Sequence, residues 1–198
     1  MPDRLLTYAF IAGLFLLEAI RFPHRKRNKR DRREGRIVDG RIDAAESGLM
    51  LLSIVGLWLA PLFHGFTDWL DFANYDRPLP LGLIGLAPLA GSIWLLLRAH
   101  ADLGQSWSPT LEVSRGQRLV TSGVYGVIRH PIYAALWLSA LAQALMIGNW
   151  VAGLGGIVAF LPMYLTRVPR EERMMIDHFG DEYRAYAARV GGILPRRG

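Results

Sequence analysis

The sequence predicts an all-α integral membrane bundle of about five transmembrane helices. Hydrophobic residues make up 52% of the 198-residue chain, which favours the membrane class over ordinary soluble domains. Five apolar stretches approach the ~20 residues that a helix needs to cross a bilayer. Lys and Arg collect between alternate stretches, as they do in the cytoplasmic loops of multi-pass proteins.

The apolar stretches lie at roughly 5–20, 47–66, 79–97, 132–147 and 150–166. The first could be taken for a signal peptide, but Glu18 and Arg21 follow its apolar core where a cleavage site of small residues would stand. We therefore expect it to remain as a spanning helix.

The last two apolar stretches meet at Gly148 and Asn149, a turn dipeptide that predicts a tight antiparallel hairpin. Beyond Pro169, a charged segment carries apolar residues at helical spacing. This pattern predicts a cytosolic amphipathic helix with a break at Gly180, which serves either as a lid over the loop 102–130 or as an anchor on the membrane surface.

The charge distribution predicts the topology. Of the 23 Lys and Arg residues, 21 fall in the segments 21–41, 98–129 and 167–198, and only Arg4 and Arg77 lie on the opposite side of a five-helix bundle. We therefore expect a multi-pass protein of a bacterial-type inner membrane, with its N-terminus outside and its C-terminus in the cytoplasm.

The basic run 25–33 is compatible with nucleic-acid binding, but its place beside a helix end favours a cytoplasmic loop near anionic lipid headgroups. We expect membrane lipids and no nucleic acid as partners. Because the chain has no cysteine, disulfides, thiolate nucleophiles and Cys-based metal sites are excluded, and we predict no metal site. The chain divides into three N-terminal transmembrane helices (1–100), with the basic loop 21–41, and a C-terminal core (101–198).

One candidate site lies where the loop 121–130 meets the fourth apolar stretch. Proline at 131 suits the first turn of a helix, so His130 should stand at a helix N-terminus, where free amides attract an anionic group. Gly123 permits a sharp turn, and Tyr125 and Tyr133 offer ring faces suited to a nucleoside. The alternative is that both tyrosines belong to an interfacial aromatic belt and that His130 merely precedes a helix.

A second candidate is the trio Arg167, Glu171 and Glu172. Arg167 and Glu171 are four residues apart and share one helical face near the inner interface. Ionisable residues near membrane depth are candidates for function, although this spacing also suits a simple ion pair.

These residues carry a resemblance to a known family. Four blocks occur in a characteristic order along the chain: the segment 119–125, the block 129–133 with its Arg-His-Pro-x-Tyr pattern, Arg167 with Glu171 and Glu172, and the segment 179–186 with its two tyrosines. In this order they resemble the isoprenylcysteine carboxyl methyltransferase family and its phospholipid methyltransferase relatives, over residues 102–195.

The resemblance implies an integral membrane enzyme that uses S-adenosylmethionine and methylates a lipophilic small molecule or a prenylated acceptor. Tyr133, Arg167, Glu171 and Glu172 are the expected catalytic residues. Arg167 would face the acceptor, with Leu136 and Trp137 beside it. The resemblance implies that the cofactor is lined by Gln117, Arg118, Leu119, Val120, Tyr125, His130, Pro131, Ile132, Tyr133 and Glu171.

The chain departs from the family at Leu136, where the eukaryotic enzymes have a tryptophan, so the acceptor is less defined than the cofactor. A carboxylate suits Arg167, whereas the protonated form of an amine acceptor would be repelled by Arg167 and better oriented by Glu172. A phospholipid, amine or thiol acceptor therefore stays open. Two other classes also stay open: an NADPH-dependent enzyme resembling sterol reductases, and a non-enzymatic membrane scaffold or small transporter. The oligomeric state is left undetermined by the sequence.

Overall fold

The computed structural model describes residues 2–35, 37–40, 43–104, 112–114 and 118–196, and this part of the chain forms a helical bundle. The predicted all-α class is confirmed. The helices are α1 Pro2–Arg33, α2 Ala44–Ile54, α3 Ala60–Phe66, α4 Leu79–Ile84, α5 Leu86–Leu103, α6 Pro131–Met146, α7 Trp150–Phe179 and α8 Asp181–Arg189.

Within the described ranges, four helical segments are long and apolar enough to cross a membrane: Arg4–Asp31, Ala44–Phe66, Leu79–Leu103 and Trp150–Phe179. The second contains α2, the π-helical stretch Val55–Leu59 and α3, and the third contains α4 and α5. The fourth predicted span is α6, which has 16 residues and packs against both α5 and α7.

Two helices are longer than the sequence predicted. The start of the basic loop 21–41 is helical, because α1 continues to Arg33. The fifth span was expected to end at 166, but α7 runs through Pro162 and Pro169 to Phe179. A proline removes one helical hydrogen bond, yet α7 packs along α2 and the π-helical stretch, and this packing holds the helix together. The predicted break at Gly180 is confirmed, since its φ of +58° ends α7.

A short ladder was not predicted. The strands β1 Ile37–Gly40 and β2 Glu112–Ser114 pair in antiparallel register, with Ile37 opposite Ser114 and Gly40 opposite Glu112. The ladder ties the segment after α1 to the segment after α5.

The helices present two distinct ends. At one end Arg4 pairs with Asp68 at 3.1 Å, and the Tyr75 amide donates to the Gly148 carbonyl at 3.0 Å. The predicted hairpin turn lies here, where Asn149 accepts hydrogen bonds from the Val151 and Ala152 amides and so begins α7. A polar cavity of about 420 Å³ at this end is remote from the predicted site residues.

The opposite end gathers the described parts of the three basic segments. The core beneath it has two apolar clusters. One joins α1, α5 and α6 around Phe10, Leu96 and Met146. The other joins the π-helical stretch, α6 and α7 around Leu57, Tyr133 and Phe160, and it forms the floor of the candidate site.

Candidate active site

The loop that leads to α6 is fixed by an acidic side chain of α5. Residues Gly123–Gly126 form a 3₁₀ turn whose Val124 amide donates to Asp102 Oδ2 at 2.9 Å. Arg98 pairs with the other oxygen of Asp102 at 3.2 Å. Gly123 has a φ of +60°, and a side chain there would collide with the Asp102 carboxylate, so the turn requires glycine.

Helix α8 packs onto this turn through its tyrosines. The Tyr186 hydroxyl donates to the Tyr125 carbonyl oxygen at 2.7 Å, and Tyr125, Tyr183 and Tyr186 are all buried. Burial raises the pKa of Tyr186 to about 12 and also raises the pKa of Tyr125. This contact holds α8 against the turn Gly123–Gly126, the position that the predicted lid role requires.

An arginine-centred cluster joins the loop to α7 and α8. Arg129 donates to Glu172 Oε1 from Nε at 3.1 Å and from Nη2 at 2.8 Å, and His130 Nε2 lies 3.0 Å from the same oxygen. Arg129 Nη1 also donates to the Ala187 carbonyl at 3.0 Å. Burial alone would lower the pKa of Arg129, but the hydrogen bonds and charge of Glu172 hold it above its usual value.

The backbone strengthens this cluster. The Arg129 and His130 amides donate to the Gly191 and Gly192 carbonyls at 2.8 and 3.2 Å. His130 is the N-cap of α6 and makes no capping bond with its side chain, and no acidic residue lies in the first turn. No side chain of α6 itself therefore offsets the partial positive charge of the helix N-terminus, and the Glu172 carboxylate of α7 is shared by Arg129 and His130.

Tyr133 and Glu171 meet across α6 and α7. The Tyr133 hydroxyl donates to Glu171 Oε2 at 2.7 Å, while its ring contacts the rings of His130 and Tyr164 at 5.7 and 6.0 Å. Tyr133 is buried and Glu171 is half-buried. The sequence had grouped these two residues, and the structure brings them into direct contact.

Arg167 is buried beside Glu46, a residue for which the sequence predicted no functional role. Its Nη1 lies 3.3 Å from Glu46 Oε1 in the first turn of α2, and the side chains are only 7% and 4% exposed. One turn towards the surface, Arg170 donates to Asp43 Oδ2 at 2.8 Å. The Glu46 amide and the Arg170 guanidinium hold the pKa of Asp43 below its usual value. The available signal for Glu46 was an acidic residue at the start of an apolar helix.

Leu136 and Trp137 both pack against the apolar cluster under this site. The Trp137 ring contacts Phe160 of α7 at 5.1 Å and Tyr164 at 5.6 Å, in both cases edge to face. With Tyr133, these rings form an aromatic wall directly beneath the buried charges. Such a wall suits an apolar chain that arrives from the bilayer.

The remaining residues predicted to line the cofactor differ in their burial and in their distance from the site. Gln117 lies outside the described residues. Arg118 is exposed, Leu119 and Val120 are half-buried, and Pro131 is buried at the start of α6. Ile132 packs against the cluster around Phe10, away from the aromatic wall. The structure thus gathers Tyr125, His130, Tyr133, Arg167, Glu171 and Glu172 at one end of the bundle, where Arg129 and Glu46 join them.

The chain is similar to proteins of a known family. Residues 84–177 match the model of the isoprenylcysteine carboxyl methyltransferase family. A probable protein-S-isoprenylcysteine O-methyltransferase of Oryza sativa subsp. indica is 32% identical over 160 residues, which cover 79% of this chain and 83% of the relative. Protein-S-isoprenylcysteine O-methyltransferases of Schizosaccharomyces pombe and Homo sapiens are 31% and 34% identical over 52% and 65% of this chain. The chain spans 44% and 49% of those two relatives, about half of their length.

Proposed function

Because the chain belongs to the isoprenylcysteine carboxyl methyltransferase family, we propose that it is an S-adenosylmethionine-dependent membrane methyltransferase that esterifies a lipophilic carboxylate, such as that of an S-isoprenylated cysteine. One observation carries the proposal: Arg167 is buried at one end of an apolar bundle, one helical turn from Glu171 and above an aromatic wall. A guanidinium in this position suits a carboxylate attached to an apolar chain.

The described residues fit the cofactor. The α6 N-terminus lacks a side-chain cap and lies beside the basic Arg129, so it suits the carboxylate of the methionyl group. Glu171 is half-buried and receives one hydrogen bond from Tyr133, and it has acceptor capacity left for an ammonium or hydroxyl group. Tyr125 and the segment 118–120 lie on the same side and would hold the nucleoside.

When bound, S-adenosylmethionine supplies a methyl group already activated by its sulfonium; an O–CH3 bond forms as the S–CH3 bond breaks, the bonding electrons stay on sulfur, and no proton moves. The protein therefore needs no general base for a carboxylate acceptor. Its residues have to exclude water and align the acceptor, which is the role proposed for Arg167, Tyr133 and the aromatic wall.

The structure disfavours an amine acceptor. Glu172 was the residue predicted to orient an amine, but its Oε1 accepts hydrogen bonds from Arg129 and lies within hydrogen-bond distance of His130. Using Glu172 for a substrate would break the cluster that holds α8 over the loop. We therefore assign Glu172 a positioning role in the proposal.

The two-ended structure supports the proposed orientation, with the site at the cytoplasmic face. Arg4 and Arg77 lie at the end that holds the hairpin turn, and the site lies at the end from which the basic extension of α1 leaves the bundle. The cofactor would reach the site from the cytosol, and the acceptor would reach it from the inner leaflet.

Titration calorimetry in detergent tests the enzyme class. We expect S-adenosylmethionine to bind and NADPH to give no heat of binding. NADPH binding without S-adenosylmethionine binding would favour the reductase hypothesis, and binding of neither would favour the scaffold.

A further inference from the structure

Glu46 is the least satisfied buried acid of the site. It is the third residue of α2, where a glutamate ordinarily reaches back to the N-cap amide and completes a capping box. Asp43 makes its half of that arrangement, since its Oδ1 accepts from the Glu46 amide at 2.7 Å. In the part of the chain that the structure describes, however, neither Glu46 oxygen has a hydrogen-bond partner.

The Glu46 carboxylate instead points at Arg167. The 3.3 Å between Arg167 Nη1 and Glu46 Oε1 exceeds the ~2.7–2.9 Å of a strong charge-assisted hydrogen bond. Burying a carboxylate without hydrogen bonds is costly, and a loose ion pair repays only part of that cost. The Glu46 carboxylate is therefore poorly stabilised at Arg167, and an anion with better hydrogen-bond geometry could replace it there.

The other two acids of the site, Glu171 and Glu172, already accept hydrogen bonds from other residues. Glu171 accepts the Tyr133 hydroxyl, and Glu172 is bound by Arg129 and His130. Of the three, only Glu46 can leave its position without breaking a hydrogen bond seen in the described residues.

A second position for the Glu46 carboxylate lies close by. The N-terminus of its own helix offers the capping position that it leaves unused, and Arg170, bound to Asp43, lies within electrostatic reach. Both positions lie beside the first turn of α2, so we expect a change of the Glu46 side-chain rotamer to carry the carboxylate from Arg167 to the helix end.

We propose that Glu46 is a resident carboxylate that occupies Arg167 in place of the methyl acceptor, and that an acceptor binds by displacing it. The inference rests on the proposed function, which it deepens by making a negative charge on the acceptor a condition of tight binding. A charged carboxylate competes with Glu46 for the guanidinium. The esterified product has lost that charge, so Glu46 returns to Arg167 and favours product release.

The test compares the acceptor affinities of wild type, Glu46→Gln and Glu18→Gln. Glu18 is the matched control, an acid of α1 paired with Arg25 at 2.7 Å outside the site. The ligands are an N-acetylated S-isoprenyl cysteine and its uncharged carboxamide, measured by calorimetry with saturating S-adenosylhomocysteine. Melting temperature and S-adenosylhomocysteine affinity report whether each variant is folded.

We expect Glu46→Gln to bind the carboxylate about tenfold more tightly, because the variant has lost one carboxylate that competes for the buried Arg167 guanidinium. The carboxamide should bind both proteins equally, and Glu18→Gln should match wild type. A structural Glu46 would not produce this charge-dependent gain. If Glu46→Gln does not fold, Glu46→Asp, which shortens the side chain by one methylene, should give a smaller gain of the same sign.

The proposed displacement of Glu46 would be overturned if folded Glu46→Gln bound the carboxylate no more tightly than wild type. It would also be overturned if the variant gained equal affinity for the carboxamide. In these cases wild type still binds both the carboxylate and S-adenosylhomocysteine, so the proposed function stands. If wild type binds neither, the proposed function fails and the exchange fails with it.

Discussion

The site depends on a few ionisable side chains placed where an apolar bundle ordinarily excludes them. The side chains of Arg167 and Glu46 are 7% and 4% exposed, and each lies on a helix long and apolar enough to span a bilayer. Charges at such positions are expensive and usually functional. Tyr133 spans the change from polar to apolar surroundings, since its hydroxyl donates to Glu171 while its ring packs against Phe160 and Tyr164.

The first prediction separates cofactor from acceptor residues. Glu171→Gln should weaken S-adenosylmethionine binding about tenfold, since a charge-assisted contact is worth ~1.5–3 kcal/mol. Arg167→Ala should leave that affinity unchanged and lower kcat/KM for a carboxylate acceptor about 100-fold. Calorimetry and initial-rate kinetics on the two variants check this. An equal loss of cofactor binding in both would contradict the assigned roles.

The second prediction concerns high pH. Because the folded-state pKa of Tyr186 is raised to about 12, its stabilising contribution is fully present below the unfolded value of ~10 and is lost as pH rises through about 12. Protease protection of α8 should therefore fall over this range in wild type. In Tyr186→Phe the protection should start lower, because the bond to the Tyr125 carbonyl is missing, and it should fall less steeply. Identical pH profiles would rule out this role for Tyr186.

At the scale of helices, hydropathy predicted each apolar segment but not where the helices end. Hydropathy carries no signal for the extension of α1 to Arg33. The apolar spacing beyond Pro169 predicted a helix there, but not that it continues the fifth span as one helix, α7. Those extensions depend on packing between distant parts of the chain. The Glu46–Arg167 pair joins residues 121 positions apart and was missed for the same reason. Tyr133, Arg167 and Glu171 could be predicted because motif order and helical spacing are local.

The third prediction tests the hairpin between α6 and α7. Asn149 is fully buried, caps α7 and donates to the Leu70 carbonyl and to Asn74 at 2.6 and 2.7 Å. Asn149→Ala should lower the free energy of unfolding by about 1–3 kcal/mol, because it removes the cap and leaves buried polar groups unpaired. Val158→Ala, in the same helix at a side chain that is 68% exposed, is the control. Thermal unfolding in detergent that shows equal losses in the two variants would contradict the capping role.

The whole molecule is polarised: one end carries the hairpin turn and the other carries the site and the basic extension of α1. This arrangement accounts for the distribution of Lys and Arg. In the proposed function it would give water-soluble and lipid-soluble reactants different routes to the site. The sequence predicted the polarity from charge alone. It did not predict the ladder between β1 and β2, which lies at the site's end and forms between segments that no local pattern relates.

The fourth prediction uses the absence of native cysteine, which makes single-cysteine labelling unambiguous. Asp68→Cys and Asp181→Cys place a thiol at exposed positions on opposite ends of the bundle. In intact cells a membrane-impermeant maleimide should label position 68 and should reach position 181 only after permeabilisation. The reverse pattern would invert the topology.

The central claim is tested most directly by following a radiolabelled methyl group from S-adenosylmethionine in proteoliposomes that contain the purified protein. With an N-acetylated S-isoprenyl cysteine as acceptor, we predict a labelled product whose methyl group is released by mild base, as expected for an ester, and no label on the matching carboxamide. Label that resists base, or label on the carboxamide at the same rate, would show that the site does not act on a carboxylate.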